Sequence, residues 1–557
     1  MAVAAAAAAL CWPAFATAQP APTPTHQDAL VRDALARYRE GLAALESRTG
    51  LAQTAIRPAR GTRELRLEEA VELALAQNLD IAVERLNPQA VDLQIAGLEH
   101  TYRPLATTTI GQRDQVLLPT NQLNGGQRVN NATTTYNFGI SQPVPLYGGN
   151  FSLTWNNSKL DTSNLFANFN PSFQTSLTAA YTQPLLRGLR IDNTRQQLLV
   201  TRINRDIAEE NVRATVAATL ANVRNAYWDL VFARSAVEVA ERALQLAEKL
   251  VEDNRARVEV GTLAPLDIVQ SEAEVASRRQ ILAQAEATLQ TAELALKRFL
   301  VTGTEDPLWS LEIVPVDLPS LEAPPSDVEG AVRAGLSRRT DLVNARRNLD
   351  SADVSIRFFR NQALPALDLT ASYGAQGLGG TQFIRQSSGL GSVVTGTIPG
   401  GYRDALALLG ARDFPVWNVQ LNLSYPIGGS QAEAQLARAR VQRNQSIARL
   451  RVLELQVATE ITNAALAVQS NFRRVEAARA ARELAARRLE AEQSRFEVGL
   501  STNFFVVQAQ RDLRDAENTE LRALADYRKS LVTFERAQEA PAGGGGGGGG
   551  FAAGGQQ

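Results

Sequence analysis

The side chains that most often carry out covalent catalysis or bind metals are almost absent from this sequence. Its 557 residues include two histidines, His26 and His100, and one cysteine, Cys11. These residues are too few to form a zinc site, a cysteine nucleophile with its histidine base, or, for lack of histidine, a Ser-His-Asp triad. Acidic residues are numerous, but none stands in a Gly-rich or loop setting typical of general acid-base catalysis. We predict that the protein is not an enzyme and holds no metal or cofactor.

The charge balance excludes a class of partner. Lys and Arg together number 57 and Asp and Glu together number 58, so no basic field favours nucleic acid as a partner. Hydrophobic residues make up 45% of the chain, which is enough apolar material for a large folded protein.

The N-terminus has the pattern of a secretory signal. An apolar run from Ala2 to Leu10 is followed by small residues before Gln19, and we predict cleavage there. No Lys or Arg precedes the run, so Met1 is not established as the true start, and an unstructured Ala-rich terminus is the alternative. After Gln19 no stretch of about 20 apolar residues occurs, which predicts no membrane-spanning helix. Entry into a membrane would then require strands closed into a barrel.

The chain contains an internal duplication, which indicates a repeated structural unit. The segment that begins at Leu67 matches the segment that begins at Val328 without gaps, and RVEVGT from Arg257 matches RFEVGL from Arg495. The two halves differ in length mainly in the window between shared prolines, where the first half is longer. The predicted organisation is a signal peptide (1–18), an N-terminal extension (19–64), repeat 1 (65–302, strands in 104–186, helical hairpin 193–300), a Pro-rich connector (303–325), repeat 2 (326–538, strands in 365–427, helical hairpin 430–538) and a Gly-rich tail (539–557).

Both windows have the alternation of β-strands. From Trp417 to Tyr425 every second residue is apolar and the residues between are Asn, Gln or Ser, which gives a strand one apolar and one polar face. Such faces suit a barrel with lipid outside and a water-filled lumen inside. The alternative is a soluble antiparallel sheet with one buried face.

The segments after the strands have the seven-residue repeat of coiled coils. Apolar residues recur from Val223 to Val258, and alanines such as Ala226 and Ala233 follow three residues later, which allows a partner helix to approach closely. Arg482 interrupts the second seam, where its stem can pack while its charged head reaches water. No proline interrupts Asn193 to Gly261, so we predict a helix about 100 Å long, with the hairpin reversing at Gly261 and, in the second half, at Gly499.

From Leu65 to about Gln538, the duplication, the helix-strand-strand-helix order and the RVEVGT and RFEVGL turns together resemble the TolC family of outer-membrane efflux ducts. The resemblance implies an α+β membrane protein that forms, as a homotrimer, an outer-membrane β-barrel continuous with a long periplasmic α-helical coiled-coil barrel. It also implies a passive exit duct of a tripartite efflux or type I secretion system. The implied partners are a periplasmic adaptor (membrane fusion) protein, an inner-membrane pump and outer-membrane lipid. The alternative is a periplasmic coiled-coil scaffold without a transmembrane barrel.

The resemblance also implies functional positions at the hairpin tips. The adaptor-contacting positions would be Val260, Gly261, Thr262, Leu263, Val498, Gly499, Leu500 and Ser501. The periplasmic gate would involve Asp267, Gln270, Phe504, Phe505 and Gln508.

The second hairpin departs from the acidic gate of the family, because Phe505 stands where the first hairpin has Asp267. We hypothesise a partly apolar constriction in which Phe504 or Phe505 forms a ring that resists wetting. The alternatives are that both phenylalanines pack inside the hairpin seam, and that Asp267 only complements the helix dipole.

The extra length of the first half lies in a hairpin near residues 132–160. It either adds two strands per copy to the usual family count of four, or folds over the extracellular mouth. We expect the second arrangement.

Overall fold

The computed structural model describes most of both repeats. The predicted signal peptide and almost all of the N-terminal extension and Gly-rich tail lie outside the described residues. Those residues are 61–118, 128–164, 166–261, 264–317, 321, 323–388 and 391–541.

Each half contains short helices, then strands, then a long helix and a shorter return helix. The first half contains β1 (Thr62–Leu65), α1 (Leu67–Gln77), α2 (Leu79–Glu84), α3 (Leu86–His100), β2 (Leu105–Leu117), β3 (Val129–Pro143), β4 (Asn150–Thr162), β5 (Phe169–Pro184), α4 (Asn193–Glu259) and α5 (Pro265–Leu300). The connector holds α6 (Pro307–Ser310) and β6 (Glu312–Pro315). The second half contains α7 (Val328–Arg338), α8 (Thr340–Gln362), β7 (Ala366–Ser388), β8 (Gly391–Ile398), α9 (Tyr402–Ala411), β9 (Pro415–Ser424), α10 (Gln431–Glu497) and α11 (Asn503–Glu539).

The two long helices, α4 and α10, are each 67 residues long, or about 100 Å at 1.5 Å per residue. The Asp192 side chain accepts a hydrogen bond from the Arg195 N–H at the start of α4. Ser430 and Glu433 form a capping box at the start of α10. These caps satisfy backbone donors that have no partner within the helix. The continuous helix predicted from Asn193 is therefore confirmed.

Each long helix buries its apolar seam against its return helix. Val223 and Leu230 of α4 share a core with Leu296 and Leu300 of α5. In the second half α10 and α11 form the equivalent core. Arg482 lies beside this seam with its Nε 2.5 Å from a Glu520 carboxylate oxygen, as expected for a packed stem with a paired head. None of the helices in the described part of the chain is long and apolar enough to cross a membrane.

Seven strands of the described chain form one antiparallel sheet in the order β2-β3-β4-β5-β7-β8, with β9 also paired to β7. The first part of β7 pairs with β9 and the last part with β8. Neighbouring apolar side chains fall in register, including Phe138 with Trp155, Trp155 with Leu177, and Tyr373 with Trp417. The alternating polar residues therefore share the opposite face.

The expectation that the extra hairpin of the first half folds away from the sheet is wrong. β3 and β4 lie between β2 and β5 and pair along most of their length with both neighbours. The physical reason is that both strands alternate in the same phase as their neighbours, so pairing continues both faces of the sheet.

A small parallel sheet, β1 with β6, lies against α4. The Tyr227 hydroxyl is 3.0 Å from the Leu65 carbonyl oxygen and 2.8 Å from Asp317 Oδ2. Burial raises the pKa of this hydroxyl, so it stays protonated as a donor. The connector between the repeats is thereby held to the first long helix.

We expect Tyr227→Phe to lower the free energy of unfolding by about 1–3 kcal/mol, because it removes the only side-chain donor atom of Tyr227 and leaves buried acceptors less satisfied. Urea unfolding of the detergent-solubilised protein, followed by circular dichroism, measures this. Tyr147→Phe is the control, because the Tyr147 side chain is exposed. Equal losses in the two variants would contradict the assigned hydrogen bonds.

Candidate functional site at the tips of the helical hairpins

The two hairpins reverse at glycines in the left-handed backbone region. Gly261 has φ of 78° and Gly499 has φ of 77°, a conformation that favours glycine over other residues. A Cβ at either position would meet no atom within 4 Å. Backbone geometry, rather than crowding, therefore requires glycine at both turns.

Apolar side chains project from these turns into solvent. Val260, Val498 and Leu500 are 74%, 69% and 80% exposed. Thr262 and Leu263 lie outside the described residues. The Ser501 hydroxyl donates to Glu492 Oε2 at 2.8 Å, which ties the second turn to its own helix. The described residues of both turns thus present exposed apolar side chains.

Phe504 and Phe505 start α11 and are both exposed in the single chain. Their rings meet edge to face with centroids 5.6 Å apart. The residues buried in the seam at this level are instead Asn503 and Val506. The alternative in which both phenylalanines pack inside the hairpin seam therefore does not hold within the chain.

The other gate positions have different surroundings. Asp267 lies in the first turn of α5, where the helix dipole favours an acidic side chain. Gln270 is exposed. The Gln508 amide donates to Asp512 Oδ1 at 2.8 Å, within its own helix. Gln508 is thus bonded within its own helix and not to the gate candidates of the first hairpin.

A buried polar cluster that the sequence analysis missed joins the two hairpins. Asn254 Nδ2 donates to Ser271 Oγ at 2.7 Å and to Asn503 Oδ1 at 3.0 Å. Asn503 Nδ2 in turn lies 3.1 Å from Ser271 Oγ. All three side chains are almost fully buried. Three helices, α4, α5 and α11, thus meet through side-chain hydrogen bonds at the base of the tips.

A charged cluster lies one turn further along α5. Glu274 and Arg278 are 4% and 3% exposed and pair with each other at 2.5 Å. Arg511 of the second hairpin also pairs with Glu274. Burial raises the pKa of the Glu274 carboxyl, but the hydrogen bond from Arg511 and the charge of Arg278 outweigh it and hold this pKa below its usual value. Glu274 is therefore a buried carboxylate shared between the hairpins.

The polar contacts are incomplete. Asn254 Oδ1 and Arg278 Nη1 are buried without a hydrogen-bond partner among the described residues. An unsatisfied buried group costs about 1–3 kcal/mol. The junction between the hairpins is therefore less stable than a fully paired one.

Apolar packing and a cation–π contact complete the junction. Leu250 of the first hairpin packs with Phe496 and Val506 of the second. The Arg257 guanidinium lies 4.4 Å from the centroid of the Phe496 ring and donates to the Phe496 carbonyl oxygen. Its repeat equivalent, Arg495, pairs with Glu492 on its own helix instead.

One sequence signal could have identified this junction. Alanines recur every seventh residue from Ala226 to Ala247 on the seam of α4, and Asn254 takes the next place in this series. A polar residue in an otherwise small apolar series indicates a specific polar partner on the facing helix. Its partner Asn503 lies 249 residues away, so the pattern of a single helix could not identify it.

No group of three or more His, Cys, Asp or Glu side chains that could hold a metal occurs within the described ranges. The site consists of exposed apolar side chains at the turns, two exposed phenyl rings and a buried polar junction between the hairpins.

Comparison with known proteins decides the family. The model of the outer membrane efflux protein family matches residues 126–301 and 332–538. The chain belongs to this family. The resemblance inferred from the sequence is confirmed, and so is the outer-membrane location. The outer membrane efflux protein family is one of efflux channels, not of enzymes.

The efflux relatives are distant in sequence. The chain is 29% identical over 202 residues to the pyoverdine export outer membrane protein OpmQ of Pseudomonas aeruginosa, a match that covers 36% of this chain and 40% of OpmQ. It is 24% identical over 390 residues to the probable efflux pump outer membrane protein TtgC of Pseudomonas putida, covering 66% and 70%. The solved structure of CusC superposes with a TM-score of 0.62 at 15% identity, covering 88% of this chain and 96% of CusC, which shows a shared fold.

We expect Glu274→Gln to lower the free energy of local opening at the start of α11 by about 3 kcal/mol or more, because Arg278 is then buried without its counter-charge. Hydrogen exchange of the amides from Val506 to Arg511 measures this. Glu248→Gln is the control, since it breaks an exposed pair with Arg279 and should cost about 0–1 kcal/mol. A loss no larger than in the control would show that the charged cluster does not hold the hairpins together.

The same junction should weaken in acid. The folded-state pKa of Glu274 is lowered, so its contribution is complete above the unfolded value of about 4.3 and is lost as the pH falls through the folded value. Hydrogen exchange, corrected for intrinsic rates, should show easier opening of the first turns of α11 below about pH 4. In Glu274→Gln this dependence should disappear. An unchanged pH dependence in that variant would assign it to another group.

Proposed function

We propose that three copies of this chain form an outer-membrane channel-tunnel. The channel would be the exit duct of a tripartite efflux or type I secretion system. Its periplasmic end would meet an adaptor protein that connects it to an inner-membrane pump. Transport is passive, and the closed end at the hairpin tips opens when the partner binds.

The observation that carries the proposal is the exposed apolar surface of the sheet. Trp417, Val419, Leu421 and Leu423 of β9 are 60% to 74% exposed and share one face with the apolar residues of the neighbouring strands. Exposed apolar patches of this kind mark contact with membrane or partner. In a membrane barrel the apolar face of the sheet contacts lipid. The opposite face, with its Asn, Gln, Ser and Thr side chains, lines a water-filled lumen.

The helices support assembly with further copies. One side of α10 exposes a series of apolar residues that no other element of the described chain covers. These residues are Val441, Val452, Leu455, Leu466 and Leu484. Long helices bury such a series by packing side by side with neighbouring helices, and helices of two further copies supply that surface in a trimer.

The tips support adaptor docking and gating. Val260, Val498 and Leu500 offer exposed apolar contacts at the turns, with Gly261, Thr262 and Leu263 in the first turn and Gly499 and Ser501 in the second completing the proposed docking surface. In a trimer, Phe504 and Phe505 of three copies would approach each other near the closed end. An apolar ring excludes water and ions until it widens.

Imaging of the detergent-extracted protein tests the assembly. We expect threefold particles with a tube longer than about 100 Å, as the continuous helices require. A scaffold without a barrel would instead leave the envelope in high salt and be missing from the detergent fraction. That outcome would overturn the proposed channel.

Phe504→Ala and Phe505→Ala should each raise the closed-state conductance of single channels in planar bilayers several-fold, because a smaller side chain at a constriction admits water. Val269→Ala is the control, since Val269 is also exposed near the tips but is not assigned to the ring. If the closed-state conductance stays at the level of the control, the hypothesis of an aromatic ring is wrong.

A further inference from the structure

The sheet has six strand positions from edge to edge in the described chain. β2, β3, β4, β5 and β7 each take one position. β8 and β9 share the sixth, because both pair antiparallel with β7 at different heights. They form one interrupted edge strand, with α9 between them.

The inserted hairpin is integral to this sheet. β3 pairs with β2 from Leu105 to Leu117, and β4 pairs with β5 from Asn150 to Leu160. The apolar side chains of β3 and β4 continue the apolar face without a change of phase. A hairpin that folded over the mouth would leave β2 to pair directly with β5.

The second repeat holds the hairpin in place. The Tyr402 hydroxyl of α9 and the Thr175 hydroxyl both donate to Asn157 Oδ1 of β4 at 2.7 Å. Trp155 Nε1 donates to Thr175 Oγ1 at 2.9 Å. Ala405 of α9 packs over Gly377, where a Cβ would collide with the Ala405 carbonyl oxygen. This fully bonded cluster joins β4, β5 and α9, so the insertion is anchored by side chains from both halves.

The two edges are complementary in direction. β2 follows α3 and runs away from the helices, whereas β9 runs back toward α10. β2 of one copy is therefore antiparallel to β9 of the next. Neither outer edge is paired within the described residues, and both expose apolar side chains such as Ile110 and Val419. A long unpaired apolar edge requires a partner strand, which a second copy supplies.

We infer that three copies close a barrel of eighteen strands, six from each, rather than the twelve that four strands per copy would give. The inference rests on the trimer proposed above. Barrel diameter grows about linearly with strand number, so the outer-membrane exit is roughly one and a half times as wide. The exit thus admits bulkier cargo than a twelve-stranded barrel of the same length.

Cryo-electron microscopy of the full chain and of a variant lacking residues 129–162 tests the strand number. In the variant β2 and β5 keep opposite directions and can pair directly. We expect eighteen strands in the full chain and twelve in the variant. A threefold particle with twelve strands in the full chain would overturn the inference and leave the proposed channel intact. Particles without a barrel would overturn both.

Cysteine labelling tests the full-length hairpin and does not depend on the folding of the deletion variant. The only native cysteine is Cys11, replaced by Ala where it remains. In outer-membrane preparations, a water-soluble maleimide should label Ser152→Cys, on the lumen face, at least several-fold faster than Leu153→Cys, on the lipid face. Equal labelling of the two neighbours would place β4 outside the barrel wall.

Discussion

The packing of each 67-residue helix against its shorter return helix is the interaction on which the rest of the structure depends. A helix of this length leaves its apolar seam in water unless another helix runs beside it. Alanines along the seam of α4 let α5 approach closely. This packing positions the turns at Gly261 and Gly499. It also positions β5 and β9, which directly precede the two long helices in the chain.

Near the tips, buried polar contacts join the apolar seam. Leu230 lies in a hydrophobic core, whereas Asn254, 24 residues further along α4, bonds to Ser271 and Asn503. Apolar burial stabilises the folded state whatever the orientation of the side chains in contact. Buried polar groups need particular hydrogen-bond partners, and an unpaired one destabilises the fold. The hairpins are thus held together by apolar packing along most of their length and by specific polar contacts beneath the apolar tips that face the proposed partner.

Duplication supplied two copies of one unit, and their differences carry the functional detail. The first strand window contains four strands, β2 to β5, whereas the second contains β7, β8 and β9 with α9 between the last two. At the tips Asp267 corresponds to Phe505, and Arg257 stacks on Phe496 while its counterpart Arg495 pairs with Glu492 of its own helix. The gate proposed here therefore depends on the asymmetry between the halves.

The duplication and the RVEVGT and RFEVGL turns carried the resemblance to the efflux family, whereas local patterns predicted the helices, the strand character and the hairpin reversals. These follow from sequence because heptad spacing, two-residue alternation and glycine at a reversal act over a few neighbouring residues. Only the tertiary structure decided that β3 and β4 join the sheet, that Phe504 and Phe505 are exposed, and that Glu274 is shared with Arg511. Strand order and buried ion pairs join residues far apart in the chain, and their free energies depend on which surfaces meet, which no local pattern specifies.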